Sequence, residues 1–291
     1  MNEKLIDFTI GADPEFVCVH RNRIVAAHEY LNCDSNLDFG ADGNEVTFEL
    51  RPEPSKNPIQ IVNNIRDIFV RQTIKDPRFL DFKWVAGSWH KGYPLGGHIH
   101  FGLKNSQINH EVAVPYLDDY VGSCGLLLEY GPDARKRRKN DDGYGWKGGM
   151  REQDWGFEYR PLSSWLTTPY VAAAMLCLSK VVMYEAVNNS EFQWHTFVVA
   201  NDFTKCNKER LRTKFPEIWN DITKMYLYQT YKPQIDLIYY LVKNKFTWLN
   251  ENSMKDCWGI IDMKPAISEK ISIDFIWNRY NLEESQPTIP Q

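Results

Sequence analysis

No two cysteines in this 291-residue chain stand at C-x-x-C spacing. Cys18, Cys33, Cys124, Cys177, Cys206 and Cys257 are scattered instead. That pattern speaks against a zinc knuckle and a disulfide frame, and it predicts reduced thiols in a cytoplasm. Positive charge is not in excess either. The formal net charge is −4, so bulk nucleic-acid binding is not expected. There is no internal repeat and no low-complexity tract. The opening residues, MNEKLIDFTIGADPEF, lack a basic region followed by an apolar stretch, so no signal peptide is expected. The longest apolar run, YVAAAMLCLSKVVMYEAV, is interrupted by Lys180 and Glu185. It reads as a buried helix rather than a membrane span.

What is present is an ordinary globular composition, 43% hydrophobic and 25% charged. The chain is long enough for a sizeable core, as one large domain or a domain with an appendage. FVCVHRNRIVAAH alternates around Arg21-Asn22 and predicts a β-hairpin. NEVTFELRP predicts a strand ending at Pro52, and FKWVAGSW, GGHIHFGL and GFEYRPL predict three more. Helical spacing of Ile61, Ile65, Ile68 and Phe69 after Pro58 predicts a helix there. A second is expected over HEVAVPYLDDYVGSCGLLLEYG, with a proline in its first turns, and a third over residues 169–188. Residues 131–154, polar, basic and glycine-rich, predict a loop. The last hundred residues read as mostly helical, ending in a frayed tail, EESQPTIPQ. Strands concentrate before residue 165, which favours an α+β fold with a mixed or antiparallel sheet. The expected division is a catalytic region over residues 1–200 and a helical extension over 201–291 packed on the same domain.

Four strands carry unusual polar faces. Residues two apart share a face of a strand. Asp13 and Glu15 therefore pair on one strand, Glu45, Thr47 and Glu49 on another, His98 and His100 on a third, Glu158 and Arg160 on a fourth. Any half-exposed antiparallel strand alternates in this way, and a histidine pair can be buried structure, a metal site or a proton-transfer site. Solvated faces, however, usually carry Lys, Thr, Ser and Gln. Clustered carboxylates repel one another unless a cation neutralises them. Oxygen-rich sites with one or two imidazoles suit Mg²⁺ or Mn²⁺. Zinc competes, because H-x-H is also a zinc spacing. Magnesium beside an arginine points to nucleotide phosphates.

In this order, GADPEF, FELRP, GGHIHFG and FEYRPLSSW resemble the carboxylate–amine ligases of the glutamine synthetase and glutamate–cysteine ligase superfamily. In particular, they resemble the phage-type COOH-NH2 ligase (amidoligase) family. The likeness covers roughly residues 8–165. Asp13 stands where the G-x-E-x-E motif has its first acid. The resemblance implies a curved, mostly antiparallel sheet of the glutamine synthetase catalytic type, with helices on its convex face and ATP and Mg²⁺ (or Mn²⁺) bound. It implies Glu15, Glu45 and Glu49 as ligands of one metal, and Asp13, His98 and Glu158 as ligands of a second. Arg160 resembles the arginine that holds the transferred phosphoryl group, so Arg160, Arg151 and Glu49 form the implied catalytic set. Arg51 and His100 join them as nucleotide contacts without a more specific role. The implied reaction is amide formation from a small-molecule or peptide carboxylate and an amine, through an acyl phosphate.

The run Arg135, Lys136, Arg137, Arg138, Lys139 precedes a glycine-rich stretch. It is either a solvated face or part of a lid that closes on phosphates through Lys147 and Arg151. Superfamily relatives carry basic phosphate contacts before the E-x-R strand, which favours Arg151. Two other readings stay open: a phosphotransferase of the guanidino-kinase type on the same scaffold, and a metal-dependent hydrolase or metal-binding module using the histidine pair.

Overall fold

Short antiparallel strands build the first half of the chain, as its alternating stretches predict. The computed structural model describes residues 5–31, 37–43, 46–139, 144–192, 194–248 and 254–260. In chain order come β1 (Thr9–Ala12), β2 (Glu15–His20), β3 (Arg23–Val25), β4 (Phe39–Ala41) and β5 (Phe48–Leu50). Helix α1 (Pro58–Lys75) leads to β6 (Lys83–Val85), β7 (Trp89–His90), β8 (Tyr93–Pro94) and β9 (Ile99–Gly102). Next are α2 (His110–Tyr116), α3 (Ser123–Leu128), α4 (Gly131–Lys139), β10 (Met150–Gln153) and β11 (Gly156–Tyr159). The remainder is helical: α5 (Pro169–Asn188), α6 (Ala200–Lys205), α7 (Lys208–Ile222), α8 (Tyr228–Lys243) and α9 (Met254–Cys257). The fold is α+β.

The strands form two larger sheets rather than one. The first has the order β1-β9-β11-β10, and the second β3-β2-β5-β4 with β6 also paired to β2. They meet at Asp13-Pro14-Glu15. There the Asp13 N–H donates to the His98 carbonyl at 3.4 Å, and the Glu15 N–H donates to that of Gly96 at 2.9 Å. The Leu50 N–H donates to the Pro14 carbonyl, tying β5 to the same junction. GADPEF is therefore not one strand with two acids on a face. Pro14 cannot donate to a ladder, and the chain changes sheets around it.

Register sets the two faces of the first sheet. Ile10, Phe101 and Phe157 stand in one row, and Phe101 and Phe157 meet with ring centroids 5.1 Å apart in the core. The next row is Gly11, His100, Glu158 and Arg151, facing the other way. The core behind is closed by helices with clear start signals. Asn57 caps α1 ahead of Pro58, and Thr168 caps α5 ahead of Pro169, each accepting from a first-turn N–H. Among the described residues, α5 is the one helix long and apolar enough to cross a membrane, and 83% of its most apolar window is buried inside the protein. It packs along α8 and α1.

Two sequence expectations change. The helix expected from residue 110 is broken into α2 and α3 by a π-helical segment, Leu117–Gly122. Its buried Asp119 accepts hydrogen bonds from the Phe197 and Val198 N–H groups and from the Trp194 indole. Residues 131–154 are not one loop. Residues 131–139 are helix α4 and 150–153 are strand β10. Within α4, Arg137 and Arg138 are buried. Arg138 forms a bidentate pair with buried Glu129, both contacts at 2.7 Å. Arg137 donates to the carbonyls of Pro161 and Leu162. This part of the basic run is neither solvated nor free to close on a phosphate.

Candidate active site

Where the two sheets meet, their polar faces open on a cleft of about 710 Å³, lined in part by Asp13, Asp42, Glu49, Arg51, His100 and Arg151. Two groups of cation-ligating side chains lie at this junction: Asp13, His98 and Glu158, and Glu15, Asp42 and Glu49.

The first group draws one member from each of three neighbouring segments. His98 Nδ1 lies 3.1 Å from Asp13 Oδ1 and 3.1 Å from Glu158 Oε1. These are the separations that neighbouring ligands show on an octahedral ion with bonds of about 2.1 Å, roughly 3 Å. Asp13 Oδ1, Glu158 Oε1 and His98 Nε2 are buried, and none of them makes a well-aligned hydrogen bond. Burial alone would lower the His98 imidazole, but Asp13, Glu158 and Glu15 push it up to about 10. Burial works to raise Asp13, yet the His98 charge and hydrogen bonds from both imidazoles hold it below the usual carboxylate range. The pocket therefore favours a positive charge between its acids, and the donor set fits a hard divalent ion.

The second group sits on the β2–β5–β4 ladder. Glu15 and Glu49 are register partners, and Asp42 follows the end of β4. Burial raises the Glu15 carboxyl, opposed by the His98 charge, with Asp42 adding to the rise. Burial also pushes Glu49 up to about 8, with Asp13 adding to the rise and Arg51 opposing it. Three carboxylates this close repel one another when charged, and a divalent ion would relieve the repulsion.

Guanidinium groups flank the first group. Arg151 Nε donates to Glu158 Oε2 at 2.8 Å, and Arg160 Nε lies 3.2 Å from Glu158 Oε1. His100 Nε2 lies 3.3 Å from Asp13 Oδ2, and its ring is 5.1 Å from Trp155. Arg51 pairs with Glu49 at 2.6 Å. Of the residues singled out in the sequence, Asp13, Glu15, Glu49, Arg51, His98, His100, Arg151, Glu158 and Arg160 come together. Glu45 lies outside the described residues. Lys147 does not join them. Its ammonium is 3.7 Å from Asp118, a buried acid of the π-helical segment that also accepts from the Gly148 N–H and the Tyr159 hydroxyl.

Sequence reasoning missed Asp42, Tyr144 and Trp155. A signal for Asp42 was available: Gly11-Ala12-Asp13 recurs as Gly40-Ala41-Asp42, each time placing an aspartate just past a strand end. Tyr144 donates its hydroxyl to Glu15 Oε1 at 2.6 Å. Trp155, half exposed at the β10–β11 turn, lines the cleft.

Over residues 10–260 the sequence matches the family described as phage phiEco32-like COOH.NH2 ligase-type 2. The chain belongs to this family. It is therefore a carboxylate–amine ligase, an amidoligase, as its strand motifs suggested. No curated protein sequence matches it. Among solved structures it is similar to the complex between prokaryotic ubiquitin-like protein Pup and its ligase PafA, with a TM-score of 0.59 and 11% identity. That match covers 97% of this chain and 72% of the other. A bifunctional glutathione synthetase from Pasteurella multocida gives a TM-score of 0.47 at 11% identity, covering 82% of this chain and 47% of the other. At these identities the PafA likeness concerns the fold, and the synthetase likeness is too slight to carry an argument.

Proposed function

We propose that this amidoligase uses ATP and two Mg²⁺ (or Mn²⁺) ions to join a carboxylate to an amine through an acyl phosphate. The observation that carries the reading is the pair of adjacent cation-ligand groups, which reach one cleft through Asp13, Asp42 and Glu49, with Arg151 and Arg160 both on Glu158. On this reading Asp13, His98 and Glu158 hold one ion, and Glu15, Asp42 and Glu49 hold the other. Asp42 joins this group, and Glu45, which the family resemblance also implied for it, lies outside the described residues. Bound ions would neutralise phosphate charge and let it approach this acidic floor. Arg160 and Arg151 stabilise the γ-phosphoryl group as it passes from ATP to a carboxylate oxygen and ADP departs. The amine then attacks the acyl carbon, phosphate leaves, and the amine's surplus proton is released. Arg51 and His100 line the same cleft and serve as nucleotide or substrate contacts. Lys147, held by Asp118, has no such role here.

The antiparallel sheets and their order along the chain support a variant of the glutamine synthetase catalytic sheet. Packing of α7 and α8 against α3 and α5 supports residues 201–248 as an extension of the preceding body, while the expected frayed tail lies outside the described residues. A cytoplasmic site of action fits Cys18, Cys124, Cys177 and Cys206, which are buried free thiols. The substrates are a small-molecule or peptide carboxylate and an amine. A panel of both, scored for ADP release and amide formation with Mg²⁺, tests the reaction. The reading predicts ADP release that needs both partners and matches the amide formed. ADP release with a phosphorylated product and no need for amine would replace it with a phosphotransferase.

A further inference from the structure

Helix α4 carries a basic run whose Arg137 is buried, yet the reaction gives that residue no role. Its guanidinium lies 4.7 Å from the centre of the Tyr144 ring. Gly145, at φ +79°, lets the guanidinium come this close, because a Cβ there would stand 2.0 Å from Arg137 Nη1. The Tyr144 ring is thus clamped from the α4 side. Its edge meets His98, with centroids 5.5 Å apart, and Arg160 lies 5.8 Å from its centre. Its hydroxyl reaches Glu15 Oε1, while the Gly96 N–H donates to Glu15 Oε2 at 2.7 Å. Gly96 has no room for a side chain, since a Cβ would stand 2.6 Å from the Tyr144 hydroxyl. Each Glu15 oxygen therefore has one fixed donor and a remaining lone pair.

We propose that Tyr144 is a positioning residue for the cation site of Glu15, Asp42 and Glu49. It fixes the Glu15 carboxylate through its hydroxyl while Arg137 fixes its ring. The inference rests on the two-ion reading and adds to it. A side chain that Asp13, His98 and Glu158 do not contact through a hydrogen bond governs one ion and not the other. Partners that orient a ligating carboxylate typically change metal affinity by about 10- to 100-fold when removed. Tyr144→Phe keeps the ring and its contact with Arg137, and removes only the donor.

The test uses Mn²⁺ alone, titrated into the full chain and followed by the electron paramagnetic resonance signal of the free ion. Wild type is expected to bind two ions. Tyr144→Phe should weaken one of them about tenfold, and that one should be the ion lost in Glu15→Gln. The other affinity should hold within about twofold, and the cation-free thermal midpoint within about 2 °C. Unchanged affinities overturn the inference. Joint weakening of both ions with a lowered midpoint also overturns it, because that marks Tyr144 as a general structural prop. Absence of Mn²⁺ binding by the wild type overturns the two-ion reading, and the inference with it.

Discussion

Glu15 and Glu49 face each other across the β2–β5 ladder as register partners, two acids where a sheet usually sets opposite charges or apolar side chains. When both are charged, such a pair opposes the fold. Glu49 lies above its ordinary value of 4.5, at about 8, so the folded chain keeps a proton there that the unfolded chain loses. Stability from this group is present below pH 4.5 and is lost as pH rises toward 8. Glu49→Gln should therefore stabilise the cation-free protein at pH 8, on the order of 2 kcal/mol after allowing for residual exposure. Near pH 4 it should change little. Urea unfolding in EDTA at the two pH values measures the difference. A loss of stability at pH 8 would make Glu49 a structural partner of Arg51.

Glu158 should behave in the opposite way. Burial raises it, but hydrogen bonding from His98 and the nearby His98 and Arg151 charges hold it below the usual carboxylate range. Its charge supports the fold above its unfolded value and is lost on acidification. Glu158→Gln should lower cation-free stability at pH 7 by about 1–3 kcal/mol. A neutral or stabilising effect would mean that the two carboxylate groups do not differ as their partners imply.

The arginines divide into two classes. Arg138→Ala leaves buried Glu129 without its bidentate partner and should cost about 3–5 kcal/mol. Arg151, whose side chain is 54% exposed, can be removed without loss of fold. Arg151→Ala should slow ADP release at least about tenfold while the thermal midpoint stays within about 3 °C. Thermal melts beside an ADP assay separate the classes. Similar melting losses in both variants would remove the reason to place Arg151 in the reaction.

Cation binding should depend on pH through His98. With the imidazole raised to about 10, an ion must displace its proton throughout the neutral range. Mn²⁺ affinity at that group should rise by close to tenfold per pH unit between about pH 6 and 8. A flat profile would mean that His98 is not a ligand.

Much of this site was legible in the sequence, because a strand's two-residue period shows which side chains share a face. His98 and Glu158 followed from that period, α1 from apolar spacing after Pro58, and α5 from its long apolar run. Other parts had no such trace. Helix α4 buries only Ala134 among its apolar side chains and is held instead by arginines bonded to carbonyls and to Glu129, so its sequence reads as solvated. Strand β4 is three residues long, too short for alternation to register, and Asp42 went with it. The sheet change at Pro14 separates Asp13 from Glu15, two acids that the strand period had placed on one face.

On the proposed reading, two cation sites share one cleft. The most direct measurement is anomalous diffraction from crystals soaked with Mn²⁺ and a non-hydrolysable ATP analogue. Two anomalous peaks are expected, one among Asp13, His98 and Glu158 and one among Glu15, Asp42 and Glu49, with the analogue's phosphates against them. Manganese absent from both groups, or a nucleotide bound away from this cleft, would contradict it.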